Sequence, residues 1–244
     1  GEAVHQFEAL AHGIRESYLP QLQPIPQRNT TWMYATETSR ASGSLYMLQH
    51  YLFGDSQHEE PLPLHTRPKA TDPWVLNACP RSKERMTSID STRADAIPEL
   101  QDFGNRWKRE TGTDFVALFK DCLILAHCTG ERLLKLPQSL QNTSLFHEAI
   151  AAAGTLYKNG VEKEIVAVTE LATPILLEIH RFAEKQAQGK APLLALWGSH
   201  DTTLAAILAG LGGWDGVWPP YSEALVLETY KNHLSGKVYI RLLR

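Results

Sequence analysis

The sequence predicts an α/β protein, a three-layer sandwich around a mixed, mostly parallel sheet, with a mostly helical cap lobe. Three observations predict it. Two apolar runs far apart in the chain, Trp32 to Thr36 and Pro192 to Trp197, each lead through a polar turn into a helical pattern. The middle of the chain has helical periodicity and no clear strand. Near the end, two alternating runs flank a turn and predict a hairpin. The expected division is a first part of the α/β core over residues 1–68, a helical cap or insertion over 69–158, and a second part of the core over 159–244.

The elements follow in order. Residues 1–18 read as an amphipathic helix, with Val4, Phe7, Leu10, Ala11 and Ile14 on one face. Pro20, Pro24 and Pro26 end it. Trp32 to Thr36, aromatic and β-branched, reads as a strand. Ser39 to Leu52 reads as a second helix, with Leu45, Leu48, Tyr51 and Leu52 together and Gly54-Asp55 as its stop. Residues 55–80 are rich in Pro, His and charge and read as an irregular excursion. Residues 97–158 read as helical with polar interruptions. Lys163 to Gln188 reads as one long helix, with Ile165, Val168, Leu171, Ile175, Leu176 and Ile179 as its apolar face and a kink or break at Pro174. The continuous apolar run Pro192 to Trp197 suits a buried strand, and Thr202 to Leu211 a helix directly after it. Glu223 to Tyr230 and Lys237 to Leu243, around a turn at His233 to Gly236, predict an antiparallel hairpin at a sheet edge.

Composition narrows the function classes. The chain is 43% hydrophobic and 21% charged, ordinary for a globular protein, with a net charge of −3. That balance argues against a general nucleic-acid binder, which shows a basic excess. No apolar run approaches the roughly 18 residues that span a bilayer; the stretch from Val116 to Ala126 is interrupted by Lys120 and Asp121. Three cysteines, Cys79, Cys122 and Cys128, cannot all pair within the chain. Two sequons, Asn29-Thr30-Thr31 and Asn142-Thr143-Ser144, are weak signs of secretion by themselves.

The strongest local signal is the strand, then Gly198-Ser199-His200-Asp201-Thr202-Thr203, then the helix. In an open α/β sheet, ligands bind beyond the carboxyl ends of strands. A helix start also offers free N–H groups and a favourable dipole to an anion. A histidine there can hydrogen-bond a phosphate oxygen and carry charge toward it, and a neighbouring carboxylic acid can protonate a leaving oxygen. The plainer alternative makes Asp201 a helix N-cap and His200 a loop residue. The second signal is Arg40, in the turn or first helical residues after the first strand. Its planar fork suits bidentate phosphate binding; an isolated arginine would simply be a surface residue.

Together these segments resemble the histidine acid phosphatases, the second branch of the histidine phosphatase superfamily. His200-Asp201-Thr202-Thr203 matches the "H-D-T-T" segment of that family. Residues 34 to 41 are similar to its "R-S-T-D-x-x-R-T": Thr36 and Arg40 match, Glu37 stands for aspartate, and Tyr34 replaces the leading arginine. Pro219-Pro220-Tyr221-Ser222 followed by Glu228-Thr229-Tyr230 is similar to "P-P-Y-A-S-x-x-x-x-E-L-Y". Leu64-His65-Thr66-Arg67-Pro68 resembles "V-H-T-x-P", and Cys79-Pro80 resembles the "C-P" pair after it. Gln6, Leu10, Arg15 and Tyr18 match the opening helix, with Ala3 and Ala11 for its glycines. The matches keep family order, while residues 81–190 carry none.

The resemblance implies covalent catalysis, in which a histidine of an "R-H-G-x-R-x-P" segment attacks phosphorus and forms a phosphohistidine. By matching positions, Arg40 would clamp phosphate, His200 would be the second phosphate-binding histidine, and Asp201 would protonate the leaving group. No metal or other cofactor is implied. The expected partner is a phosphorylated small molecule or inorganic phosphate, not nucleic acid. A homodimer and a separate N-terminal segment are both compatible with the sequence. Membership would also give the sequons weight and imply a secretory or lysosomal location. The nucleophile segment is absent from these residues. Ala11-His12-Gly13-Ile14-Arg15 resembles it superficially but lies inside a helical apolar pattern, which makes His12 a helix-surface residue. The expectation is a strand outside these residues that carries the nucleophile and completes the sheet, whose edges and apolar surface would otherwise be bare. The competing reading is a phosphate- or phospholipid-binding relative without catalysis.

Overall fold

A computed structural model describes residues 2–27, 30–54, 63–76, 83–84, 87–88, 92–116, 143–163 and 165–244. The chain divides into two compact units: Gly1–Ala78 with Ala172–Leu204 and Pro220–Arg244, and Cys79–Leu171 with Ala205–Pro219.

The first unit is built on helix α1 (Glu2–Ser17), strand β1 (Thr31–Ala35), helix α2 (Ser39–Phe53) and strand β2 (Leu194–Gly198). β1 and β2 pair in parallel, with Thr31 opposite Leu194 and Ala35 opposite Gly198. The apolar faces read from the sequence meet here. Ala11, Met33, Ala35, Ala41, Leu45, Leu48, Leu52 and Leu196 are buried together, with Phe7, Leu10 and Ile14 packed against them. Gly198 ends β2 because nothing larger fits: a Cβ there would stand 2.8 Å from the Ala41 carbonyl oxygen and 2.9 Å from Leu45 Cγ. Strand end and helix start are thereby pressed together. Gly54 stops α2 at φ 77°, a conformation that costs glycine little.

The segment 63–76 crosses this unit as the irregular excursion expected, touching down at His65. His65 N donates to the Met33 carbonyl and Ala35 N to the His65 carbonyl, both at 3.0 Å. The hairpin is strands β3 (Val226–Lys231) and β4 (Val238–Leu243), antiparallel, with Val226 opposite Leu243. Among the described residues it pairs only with itself, as a separate two-stranded sheet, and not at the edge of the β1–β2 sheet.

The second unit is mostly helical. Helix α3 (Gln101–Thr111) follows two short 3-10 turns, Ala94–Ala96 and Pro98–Leu100. Phe103, Trp107 and Phe115 pack edge to face or tilted, with Leu145, Phe146, Ala149, Ala153 and Leu156 of helix α4 (Thr143–Lys163) in the same core. Helix α5 (Ile165–Ala187) begins in this unit and ends in the first, running unbroken through Pro174 where the sequence suggested a kink or break. Missing one backbone donor does not stop a helix whose Ala172, Ile175, Ile179 and Ala183 are all buried. The side chains of Ile165, Val168 and Leu171 lie outside the described residues. Helix α6 is Asp201–Gly210.

Candidate functional site

The parallel register makes β1 and β2 end level, and this decides what meets beyond them. Thr36 N still donates to the Gly198 carbonyl at 3.1 Å. One step further, Thr36 Oγ1 and His200 Nε2 stand 3.1 Å apart. Thr36 is fully buried and His200 half-buried, so this contact is partly buried. Thr38 then caps α2: its backbone is extended at φ −137°, and its hydroxyl accepts from Ala41 N at 3.3 Å. Arg40 follows as the second residue of α2, with its side chain exposed.

The loop after β2 is held from below. Thr203 is fully buried and donates its hydroxyl to the Trp74 carbonyl at 2.8 Å. Ser199 Oγ lies within hydrogen-bond reach of that carbonyl, at 3.1 Å, and of Thr203 Oγ1, at 2.9 Å. His200 and Asp201 sit between these two anchors. The His200 carbonyl accepts from Thr203 N and Leu204 N, which starts α6, and Asp201 Oδ1 accepts from Thr202 N at 2.8 Å. Asp201 thus does stand at the helix start, as the plainer reading of the sequence had it, yet it stands there beside His200 at the rim shared with Thr36.

The electrostatics bring the distant segments together. The His200 pKa is lowered from the ordinary 6.5, mainly by burial. The carboxylates of Asp201 and Asp72 oppose that shift, while the cations of Arg40 and Lys69 add to it. Arg40 and the His200–Asp201 pair, 160 residues apart, therefore act on one another at the same end of the sheet. Such a site, with two cations and two carboxylates acting on a half-buried imidazole, can hold an anion and exchange a proton with it.

Tyr34, which replaces the arginine of the family pattern, is buried with its ring beneath the Arg67 guanidinium, 5.1 Å from the centroid. Arg67 is itself engaged by Glu178, at 2.6 and 3.0 Å. Burial, and then the neighbouring Asp72 carboxylate, push the Tyr34 phenol far above its ordinary range. Glu37 is exposed and accepts from Lys69 N at 3.1 Å.

Lys69, Asp72 and Trp74 belong to this constellation and were missed from the sequence, while Ser199 lay within the Gly198–Thr203 signal without a role assigned to it. Of the three missed, only Asp72, in the turn-starting pair Asp72-Pro73, carried a signal. His12 is exposed on α1, 3.3 Å from Glu16. Cys79, Cys122, Cys128, Asn29 and Asn142 lie outside the described residues. Among the described residues, no cluster of His, Cys, Asp and Glu could hold a metal ion, and no helix is long and apolar enough to cross a membrane.

No family model matches the chain. Individual proteins do. It is 26% identical to testicular acid phosphatase of Mus musculus over 251 residues, covering 93% of this chain and 57% of that protein. It is 24% identical to lysophosphatidic acid phosphatase type 6 of Pongo abelii, covering 98% and 58%. With putative acid phosphatase 5 of Caenorhabditis elegans the identity is 29%, over 70% of this chain and 42% of that one. The chain thus spans under three fifths of the curated relatives it matches. Among solved structures, the phytase from Citrobacter braakii superposes with a TM-score of 0.62 at 13% identity, over 99% of this chain and 73% of that one. This likeness concerns the fold.

Proposed function

We infer the function from one premise: this chain belongs to the histidine acid phosphatase family. The activity that best fits the site is hydrolysis of phosphate monoesters. Arg40 and protonated His200 hold the phosphoryl oxygens, and charge that develops in transfer is met by donors already in place. Asp201 gives its proton to the leaving oxygen as the ester P–O bond breaks. The electron pair for that displacement comes from a histidine outside these 244 residues, forming a phosphohistidine that water then hydrolyses with Asp201 as base. The same reading puts β1 and β2 in the mixed, mostly parallel sheet of a three-layer sandwich, assigns substrate choice to residues 69–158, and puts the protein in the secretory pathway, extracellular or lysosomal, glycosylated at Asn29 and Asn142.

One observation carries it. The Thr36–His200 contact ties the ends of two in-register parallel strands, so that the arginine after one and the His-Asp pair after the other share a rim. Because burial depresses the His200 pKa, its charged form gains population only below the ordinary 6.5. Phosphate affinity should therefore strengthen as pH falls through that range.

The test is turnover of an aryl phosphate by the full-length protein. His200→Ala and Asp201→Asn should each lower kcat/KM by about 100-fold or more. Turnover unaffected by both would end the assignment. Vanadate binding without turnover in the unmodified protein would favour the non-catalytic phosphate binder, to which the loss of the pattern's arginine at Tyr34 lends some support.

A further inference from the structure

Among the described residues Asp72 is the only buried carboxylate, at 0% exposure, and the chemistry above does not use it. Burying a carboxylate is costly, so its place calls for a reason that an apolar residue would not serve. Its Oδ1 accepts from Trp74 N at 3.0 Å, and its carbonyl accepts from Val75 N at 3.1 Å. Asp72 thereby closes the turn that presents the Trp74 carbonyl. That carbonyl is the acceptor held by Thr203 and reached by Ser199, the two residues that flank His200 and Asp201. The Tyr34 hydroxyl lies beside the Asp72 carboxylate, which adds to burial in pushing that phenol up.

We propose that Asp72 is a positioning residue of this site: it fixes the His200–Asp201 loop through the Trp74 carbonyl and acts electrostatically on the His200 imidazole. Five groups act on that imidazole. Arg40 comes from α2, Lys69 and Asp72 from the 63–76 segment, Asp201 from α6, and the Thr36 hydroxyl from the end of β1. Burial and the two cations favour the neutral ring, and the two carboxylates favour the charged one. A carboxylate near the ring favours the charged His200 that binding and turnover of a phosphate ester need.

The consequence for turnover rests on the phosphatase reading, whereas the coupling of the two side chains does not. The decisive measurement is an NMR titration of the His200 ring in the full-length protein. Asp72→Asn keeps an oxygen acceptor for Trp74 N and removes the charge. It should lower the His200 midpoint by about half a unit or more, and weaken vanadate binding severalfold at pH about 6. An unchanged midpoint overturns the proposal. A lowered midpoint in a protein that turns over no phosphate ester leaves the proposal standing and defeats the phosphatase reading. Should Asp72→Asn not fold, the unmodified protein still decides: its Asp72 carboxyl resonance must inflect at the His200 midpoint, and a flat trace there overturns the coupling.

Discussion

The two small sheets of this protein make opposite use of charge. The β1–β2 pair is parallel, and Met33, Tyr34, Ala35 and Leu196 within it are buried. Its ends lead into a half-buried histidine whose pKa is set first by lost solvation. The β3–β4 hairpin is antiparallel and has no fully buried residue. It carries its own polar cluster: Glu228 Oε2 accepts from Arg241 Nε and from the Tyr230 hydroxyl, both at 2.5 Å. These contacts are shorter than any at the β1–β2 rim. The partners Arg241 and Tyr230 are water-exposed, where ion pairs contribute little. Distance alone does not rank the two regions; burial does.

The largest effect should come from the joint that makes the β1–β2 rim rigid. Gly198→Val would drive side-chain atoms into the Ala41 carbonyl and Leu45, both under 3 Å from the first added carbon. Overpacking against backbone should destabilise the protein by about 3 kcal/mol, the upper part of the usual range. Urea unfolding measures it, and a loss near zero would mean that α2 is free to move away from the strand end. Thr203→Val comes next. It removes the hydroxyl that donates to the Trp74 carbonyl in a fully buried place. The expected cost is about 1–2 kcal/mol, read by the same unfolding curve.

A smaller effect belongs to His200 itself and has a definite sign. A histidine with a depressed folded pKa binds fewer protons folded than unfolded in the range between its folded value and the ordinary 6.5. Stability should therefore fall as pH drops through that window. His200→Gln should flatten this part of the stability profile and leave the profile above it unchanged. A steeper loss at acid pH in the variant would mean that the folded protein prefers the charged ring.

The same contrast governs what was legible in the sequence. Period and punctuation located the elements: Trp32–Thr36 became β1 within a residue, Ser39 starts α2 as read, and His233 to Gly236 turns the hairpin. Local chemistry also picked out Arg40, His200 and Asp201, because anion sites recur at strand ends and helix starts. Asp72 and Lys69 were not legible. Nothing near Asp72 in sequence says that its turn will lie under the loop at 199–203, since that follows from the tertiary path of the 63–76 segment alone. Among the described residues the hairpin has no third strand beside it, where the sequence predicted a sheet edge, for a related reason. Alternation predicts that two strands pair with each other, but does not name a third neighbour.

The hairpin supplies the smallest expected effect and the sharpest check on the comparison. Its Glu228 carboxyl is lowered from 4.5 to about 2, first by Arg241 and then by the Tyr230 hydroxyl. A depressed carboxylate pKa favours the fold above the unfolded value, and that contribution disappears as pH falls through the folded one. Taken at face value, so large a shift would make Glu228→Gln costly at neutral pH. The exposed setting of its partners argues otherwise, since solvent and salt screen the pair. Glu228→Gln should leave the melting temperature at pH 7 unchanged within error, and added salt should not separate the variant from the parent protein. A fall of several degrees, erased by salt, would show that the hairpin's charges hold the fold as firmly as the buried rim does.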